Sequence, residues 1–169
     1  MEEVGNGVRV YEGKLDSISP GQVANGIVTN YALIEIGDDA PSNIKVANGL
    51  DGKLRSSVGE NVKLWVAKGG MLVGLENEDG KAYVIGEKAA TKGAWGAHFV
   101  VWFVVGAWVL TFILFGVNPF VGMMTGFFAF LFSFLAIPMT SVLKAVNRAK
   151  NGIAVAMKQA KGRVVEVEG

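Results

Sequence analysis

The chain has 169 residues, of which 51% are hydrophobic and 18% charged, with a formal net charge of +1 and no Cys. No Lys, Arg, Asp or Glu occurs from residue 93 to residue 143, and all ten Phe lie between Phe99 and Phe134. Such a run argues for a membrane protein and against a purely soluble enzyme, a collagen-like fibre or a disordered chain. The lack of Cys excludes a disulfide scaffold, a thiol nucleophile and a Cys-ligated metal.

The first 26 residues carry Glu2, Glu3, Arg9, Glu12, Lys14 and Asp16 and contain no apolar run long enough for a signal peptide. The N-terminal segment is therefore expected to stay on the side where it is made. Over residues 7–87, short β-branched runs alternate with polar residues and are separated by Gly, Asn, Asp and Ser. The pattern predicts strands over 8–16, 26–36, 43–47, 61–67, 71–76 and 81–85. Val62, Leu64 and Val66 alternate with Lys63, Trp65 and Ala67, which reads as one buried and one open face. Lys68-Gly69-Gly70 and Asn77-Glu78-Asp79-Gly80 suit hairpin loops. Five or six strands in so short a segment suggest a small closed or nearly closed barrel of the oligonucleotide-binding (OB) or SH3-like kind, since closure avoids open edges. Because the pattern closes within residues 1–90, that segment is expected to fold alone.

Such barrels often bind nucleic acid, but residues 1–93 hold ten basic against thirteen acidic residues. Their aromatics, Tyr11, Tyr31, Trp65 and Tyr83, have no basic cluster around them. A nucleic-acid surface would be basic and would present stacking aromatics, so no nucleic-acid partner is expected.

The uncharged block suits two crossings. Asn118-Pro119 is a turn signal, and Pro favours the first turn of a helix. The spans are read as 95–115 and 120–142, joined as an antiparallel hairpin. Each is about 31–35 Å long at 1.5 Å per residue, enough for a ~30 Å hydrocarbon core. Lys81, Lys88 and Lys92 precede the first span, basic residues follow the second, and the turn has none. The positive-inside rule then predicts that both termini lie in the cytoplasm. A bacterial inner membrane is the expected location. Trp95 suits the inner aromatic belt. His98, the single histidine, lies one turn inside; it reads as an interfacial residue or, with a polar partner, as a proton relay or pore-lining residue.

On the second span Gly122, Gly126, Ala129, Ser133, Ala136 and Thr140 recur at spacings of four and three. A small-residue stripe lets helix backbones approach closely in lipid, and a 3.5-residue period favours a left-handed crossing. The stripe serves either the partner span of the same chain or an oligomer. Phe128, Phe132 and Phe134 are assigned to the lipid-facing side. The helix is expected to continue past Thr140, with Val142, Val146, Ala149, Ile153, Ala156 and Ala160 as an apolar stripe flanked by Lys144, Arg148, Lys150, Lys158 and Lys161. Such a basic amphipathic segment lies on anionic headgroups or pairs with another helix. Its positive charge also complements the acidic N-terminal segment. Residues 163–168 alternate at period two and could add as a strand to an open edge.

No catalytic motif emerges. Gly52-Lys53 lacks the rest of a phosphate-binding loop, one histidine forbids a zinc-protease helix, and Glu76-Asn77-Glu78-Asp79-Gly80 is too short for a calcium loop. Asp38-Asp39 reads as a solvated loop. No cofactor or metal is expected.

The chain is thus read as a β + α membrane protein with three parts. Residues 1–90 form a small cytoplasmic all-β barrel, 91–142 a two-helix transmembrane hairpin, and 143–169 a basic cytoplasmic tail, helical and then β-like. In outline, a small barrel joined to a few spans is similar to NfeD-type membrane proteins, although those carry the barrel after the spans. The expected function is a non-enzymatic, membrane-anchored interaction or assembly module, with the bilayer, a protein partner or another copy of itself, and anionic lipid as contacts. The alternative is a homo-oligomeric channel or pore built from the hairpin.

Overall fold

The computed structural model describes residues 2–4, 7–24, 26–87, 91 and 94–167. The chain forms two compact units. One comprises residues 1–90 together with 147–169, and the other residues 91–146.

The first unit is built on β1 (Glu2–Val4), β2 (Val8–Ile18), β3 (Gly21–Ala24), β4 (Val28–Ile36), β5 (Ser42–Ala47), α1 (Asn48–Ser56), β6 (Asn61–Ala67), β7 (Met71–Glu76) and β8 (Lys81–Ile85). β6, β7 and β8 coincide with the alternating runs read from the sequence. The other predicted strands differ by one or two residues at their ends. β1, β3 and α1 were not anticipated.

Five strands close into a barrel, β2 pairing β4, β4 pairing β5, β5 pairing β7, β7 pairing β6 and β6 returning to β2. All these pairings are antiparallel except β5 with β7. β2 serves three neighbours: Val8 to Val10 pair with β1, Val8 to Lys14 with β6, and Leu15 to Ile18 with β4, across a register shift between Leu15 and Ser17. A bulge of this kind bends a strand round a barrel corner. The parallel seam is short. Lys45 N–H donates to Gly70 O at 2.7 Å. Gly70 has φ +82°, and a Cβ there would run into the Asn43 carbonyl oxygen. Only glycine meets both demands.

Leu15, Ile34, Ile36, Val46, Leu64, Leu72 and Leu75 are fully buried in the core. α1 joins it through Leu50 and Leu54, an i,i+4 pair with no exposed surface. Asp51 in its first turn and Lys53 and Arg55 in its last complement the helix dipole. Its two glycines, Gly49 and Gly52, weaken helix propensity, so burial of the leucines holds it in place.

Burial does not follow the alternation of Val62, Leu64 and Val66 with Lys63, Trp65 and Ala67 on β6, and it does not alternate on β7. Trp65 and Ala67 are buried as fully as Leu64 and Val66, and on β7 every residue after Met71 is buried. Both faces of this part of the sheet are covered. The cover is the end of the second long helix. Ile153 and Ala156 belong to the barrel core, with Val155, Met157 and Ala160 packed against it. The helix approaches closely because both surfaces carry glycine. A Cβ on Gly152 would meet Val73 and Ala67 at 3.1–3.2 Å, and one on Gly74 would meet Ala156 Cβ at 3.2 Å. Trp65 Nε1 donates to Gln159 Oε1 at 3.1 Å. After the helix, β9 (Arg163–Val167) adds to β8 in parallel, from Lys81↔Arg163 to Ile85↔Val167. Residues 163–167 thus add as a strand to an open edge, as their period-two alternation allowed, and the C-terminal residues set apart as a tail belong to the barrel unit.

The second unit holds α2 (Ala94–Val117) and the first part of α3 (Pro119–Gln159). Asn118 makes the break. Its N–H closes α2 onto Leu114 O, while its Oδ1 accepts from the Phe120 and Val121 N–H groups, and Pro119 opens the new helix. This is the N-cap and N1-proline pattern expected of the turn. α3 runs through Pro138 to Gln159, beyond the predicted span and into the predicted continuation. Pro138 has no N–H for the carbonyl four residues back, a loss that apolar helices tolerate.

Candidate functional site

Two features stand out: the apolar surface of the hairpin and a charged cluster on the barrel. The hairpin directs its large side chains outward. Trp95 is 88% exposed, Phe112 73% and Phe120 72%, and Phe99, Trp102, Met123 and Phe127 are also exposed. Both helices are long and apolar enough to cross a membrane, and only 11% of each most apolar window is buried. Core helices of a soluble protein would instead be largely buried. An outward apolar surface of this extent demands an apolar neighbour.

Gly122, Gly126 and Ser133 of the predicted small-residue stripe meet α2. Gly122 and Ala129 are buried. A Cβ on Gly122 would lie 2.7 Å from both Phe115 N and Cβ, and one on Gly126 would lie 3.2 Å from Thr111 Cγ2. Ser133 Oγ accepts from Trp108 Nε1 at 3.0 Å and donates to Ala129 O at 2.8 Å. Ala136 is half-buried and Thr140 is exposed. α2 contributes Ala97, Val104 and Thr111 as its buried positions. Phe128 and Phe134 point outward as expected. Phe132 is intermediate in role: 41% exposed, it packs edge-on against Phe103 with ring centres 5.7 Å apart. His98 lies on an exposed part of α2.

The predicted basic residues divide. Lys144, Arg148, Lys158 and Lys161 are exposed on α3 and just after it. Lys150 is half-buried and pairs with Glu87 at 2.9 Å. Lys161 N–H donates to Glu76 Oε1 at 3.2 Å, which gives that 8%-exposed carboxylate a partner. The turn after Glu76 is a hairpin, with Asn77 Oδ1 accepting from Lys81 N–H at 3.0 Å. The apolar stripe of the tail, read as facing headgroups or another helix, lies against β6 and β7 over Ile153 to Ala160.

Sequence reasoning missed the cluster formed by Tyr31, Asp51 and Arg55. Tyr31 is 2% exposed, and its hydroxyl donates to Asp51 Oδ1. Arg55 Nε donates to Tyr31 Oη at 2.9 Å and to Asp51 Oδ2 at 3.0 Å, and its guanidinium lies 5.7 Å from the Tyr31 ring centre. Burial, followed by the Asp51 carboxylate, pushes the Tyr31 phenol up to about 12, while Arg55 pulls the other way. The only local signal was Asp51 and Arg55 at i,i+4. Tyr31 and Arg55 border a cavity of about 380 Å3 with Asp16, Ser17, Ser19 and Val58. On a neighbouring face Asn30 Oδ1 is buried without a hydrogen-bond partner, beside Gln22 and Lys45, which line a 330 Å3 hollow with it. A concavity of about 650 Å3 joins Arg9 and Lys68 to Glu3 and Asp39, so its charge is mixed. Among the described residues no three His, Asp or Glu side chains converge as metal ligands do.

No protein-family model, characterised protein or solved structure matches the chain. What the fold itself defines is a closed five-strand barrel followed by two apolar helices of membrane-crossing length.

Proposed function

We propose that the chain is a non-enzymatic, membrane-anchored interaction module that presents a barrel of the OB type on the cytoplasmic face of a bilayer. The observation that carries this reading is the outward apolar surface of α2 and α3. A bilayer is the neighbour that would cover Trp102, Phe112 and Phe127 together. The OB assignment is supported by strand order: β2-β4-β5-β7-β6, closed back on β2, with α1 between the third and fourth barrel strands. The cytoplasmic assignment is supported by the flanking basic residues and their absence from the Asn118-Pro119 turn.

The oligomeric pore has less support. Gly122 and Gly126 are occupied by Phe115 and Thr111 of the same hairpin. The hydroxyls of Thr111, Thr125, Ser133, Thr140 and Ser141 donate to carbonyls of their own helices. Alkaline extraction of membranes containing the full chain, combined with reporter fusions at the C-terminus, tests the proposal. Retention in the pellet with a cytoplasmic reporter is the expected result. Release by alkali, or a reporter active only on the far side, overturns it.

A further inference from the structure

Asn30 lies on β4 with Gln22 directly opposite it on β3 and Lys45 directly opposite it on β5. Opposed residues point to the same face of a sheet, and neighbouring strands lie about 4.8 Å apart. The three side chains therefore form one polar row across three strands of the barrel unit. With Pro20, Ala32 and Asn43 they line a hollow of about 330 Å3, within the range of small-ligand sites, roughly 300–1,000 Å3.

Two features of this row point to something outside the chain. Asn30 Oδ1 is buried, and among the described residues it has no hydrogen-bond donor. A buried acceptor left unpaired costs stability, and Val or Thr suits a strand better than Asn, so the fold by itself does not account for this residue. Lys45 is exposed beside it and takes part in none of the ion pairs among the described residues. The row thus offers an acceptor that needs a donor next to a cation that needs an anion.

A carboxamide carries an acceptor and two donors side by side, which match the N–H and C=O of an extended main chain. A main chain pairs with Asn30 in this way, and an acidic side chain on it reaches Lys45. A phosphate alone has no donor for Oδ1. A nucleic-acid strand has donors on its bases, but it calls for several cations and an exposed ring to stack on. The hollow offers Lys45 alone, and the one aromatic beside it, Tyr31, is 2% exposed.

We propose that the row of Gln22, Asn30 and Lys45 binds an extended acidic peptide segment of a partner protein, Asn30 pairing with its main chain and Lys45 with a carboxylate side chain. This gives the interaction module proposed above a class of partner and rests on that reading.

The full chain in detergent, isotopically labelled, would be titrated with a pool of capped pentapeptides that carry Asp or Glu at the centre and are randomised elsewhere. The side-chain amide signals of Asn30 and Gln22 are expected to shift. A matched pool with central Asn or Gln should bind about threefold more weakly, the share of one exposed ion pair. Lys45→Gln should abolish that difference. Asn30→Val should weaken both pools about tenfold through two lost hydrogen bonds. The same variant should keep or raise thermal stability, because it removes an unpaired acceptor; a loss of stability would mean that Asn30 is paired within the fold and overturns the proposal. No shift with the acidic pool, or equal binding by the native chain and Asn30→Val, overturns it too. So does a deoxythymidine pentamer that shifts these signals at lower concentration than the acidic pool, which would mark a nucleic-acid face. None of these failures touches the membrane anchor, which retention in alkali-washed membranes tests separately.

Discussion

The indole N–H of Trp65 on β6 donates to the side-chain oxygen of Gln159 at the end of α3, 94 positions later in the chain. This bond ties the segment after the hairpin to the barrel formed before it. Gln159→Ala would leave the N–H of a fully buried indole without its partner, at a cost of about 1–2 kcal/mol. Hydrogen exchange of the β6 and β7 amides in the full chain should quicken correspondingly, with little change on α2. Unchanged protection would mean that the bond contributes nothing to the barrel.

Residues 1–90 alone would expose Trp65, Ala67 and Val73, now covered by Ile153, Ala156 and their neighbours, and would leave β8 without β9. Loss of the buried Ile153 side chain and its surroundings is expected to cost about 3–5 kcal/mol, enough to unfold a small barrel. Glu87 and Lys150 lie within ion-pair distance, so residues 1–87 can be joined to 148–169 by a short Gly/Ser linker. That chain is expected to be soluble and to unfold cooperatively. Equal stability of the two fragments in urea would refute the structural role given to the C-terminal segment.

In the hairpin, Gly122→Leu would drive a side chain into the backbone of Phe115, and about 2–3 kcal/mol of destabilisation is expected. Gly126→Ala meets only the Thr111 methyl at 3.2 Å and should be mild. Phe132→Leu loses an edge-on contact with Phe103, about 0.5–1.5 kcal/mol. Thermal unfolding of the full chain in one detergent gives the order. A ranking with Phe132→Leu worst would reverse the assignment of faces.

Tyr31 makes stability sensitive to alkali. Its phenol is pushed up from 10.0 to about 12 in the folded state, chiefly by burial. Below pH 10 both folded and unfolded states keep the proton, and the stabilisation is complete. As pH rises from 10 towards 12 the unfolded state ionises first, so stability falls, by about 1–2 kcal/mol. Tyr31→Phe should be less stable at neutral pH but lack this part of the alkaline decline. Urea titrations of the linker-joined barrel at pH 8 to 12 test it; identical slopes for both chains would discard the assignment.

The sequence by itself determined the local features. Short apolar runs located β6, β7 and β8 to the residue, because such runs and the intervening Gly-rich turns are both short-range signals. Asn118-Pro119 located the hairpin turn, because capping is a property of a few adjacent residues. The uncharged block located two apolar helices. Only the tertiary structure decided three other matters. α1 is written in glycine-weakened helix sequence and exists because Leu50 and Leu54 have a core to enter. Tyr31 meets Asp51 and Arg55 across a strand, a loop and a helix, a separation that no local pattern encodes. The second face of β6 and β7 is buried because residues some eighty positions later return to cover it. An amphipathic stripe states that an apolar partner exists but carries no information about which surface that partner is, so lipid, helix and sheet were equally compatible with Ile153 and Ala156 until the chain closed on itself.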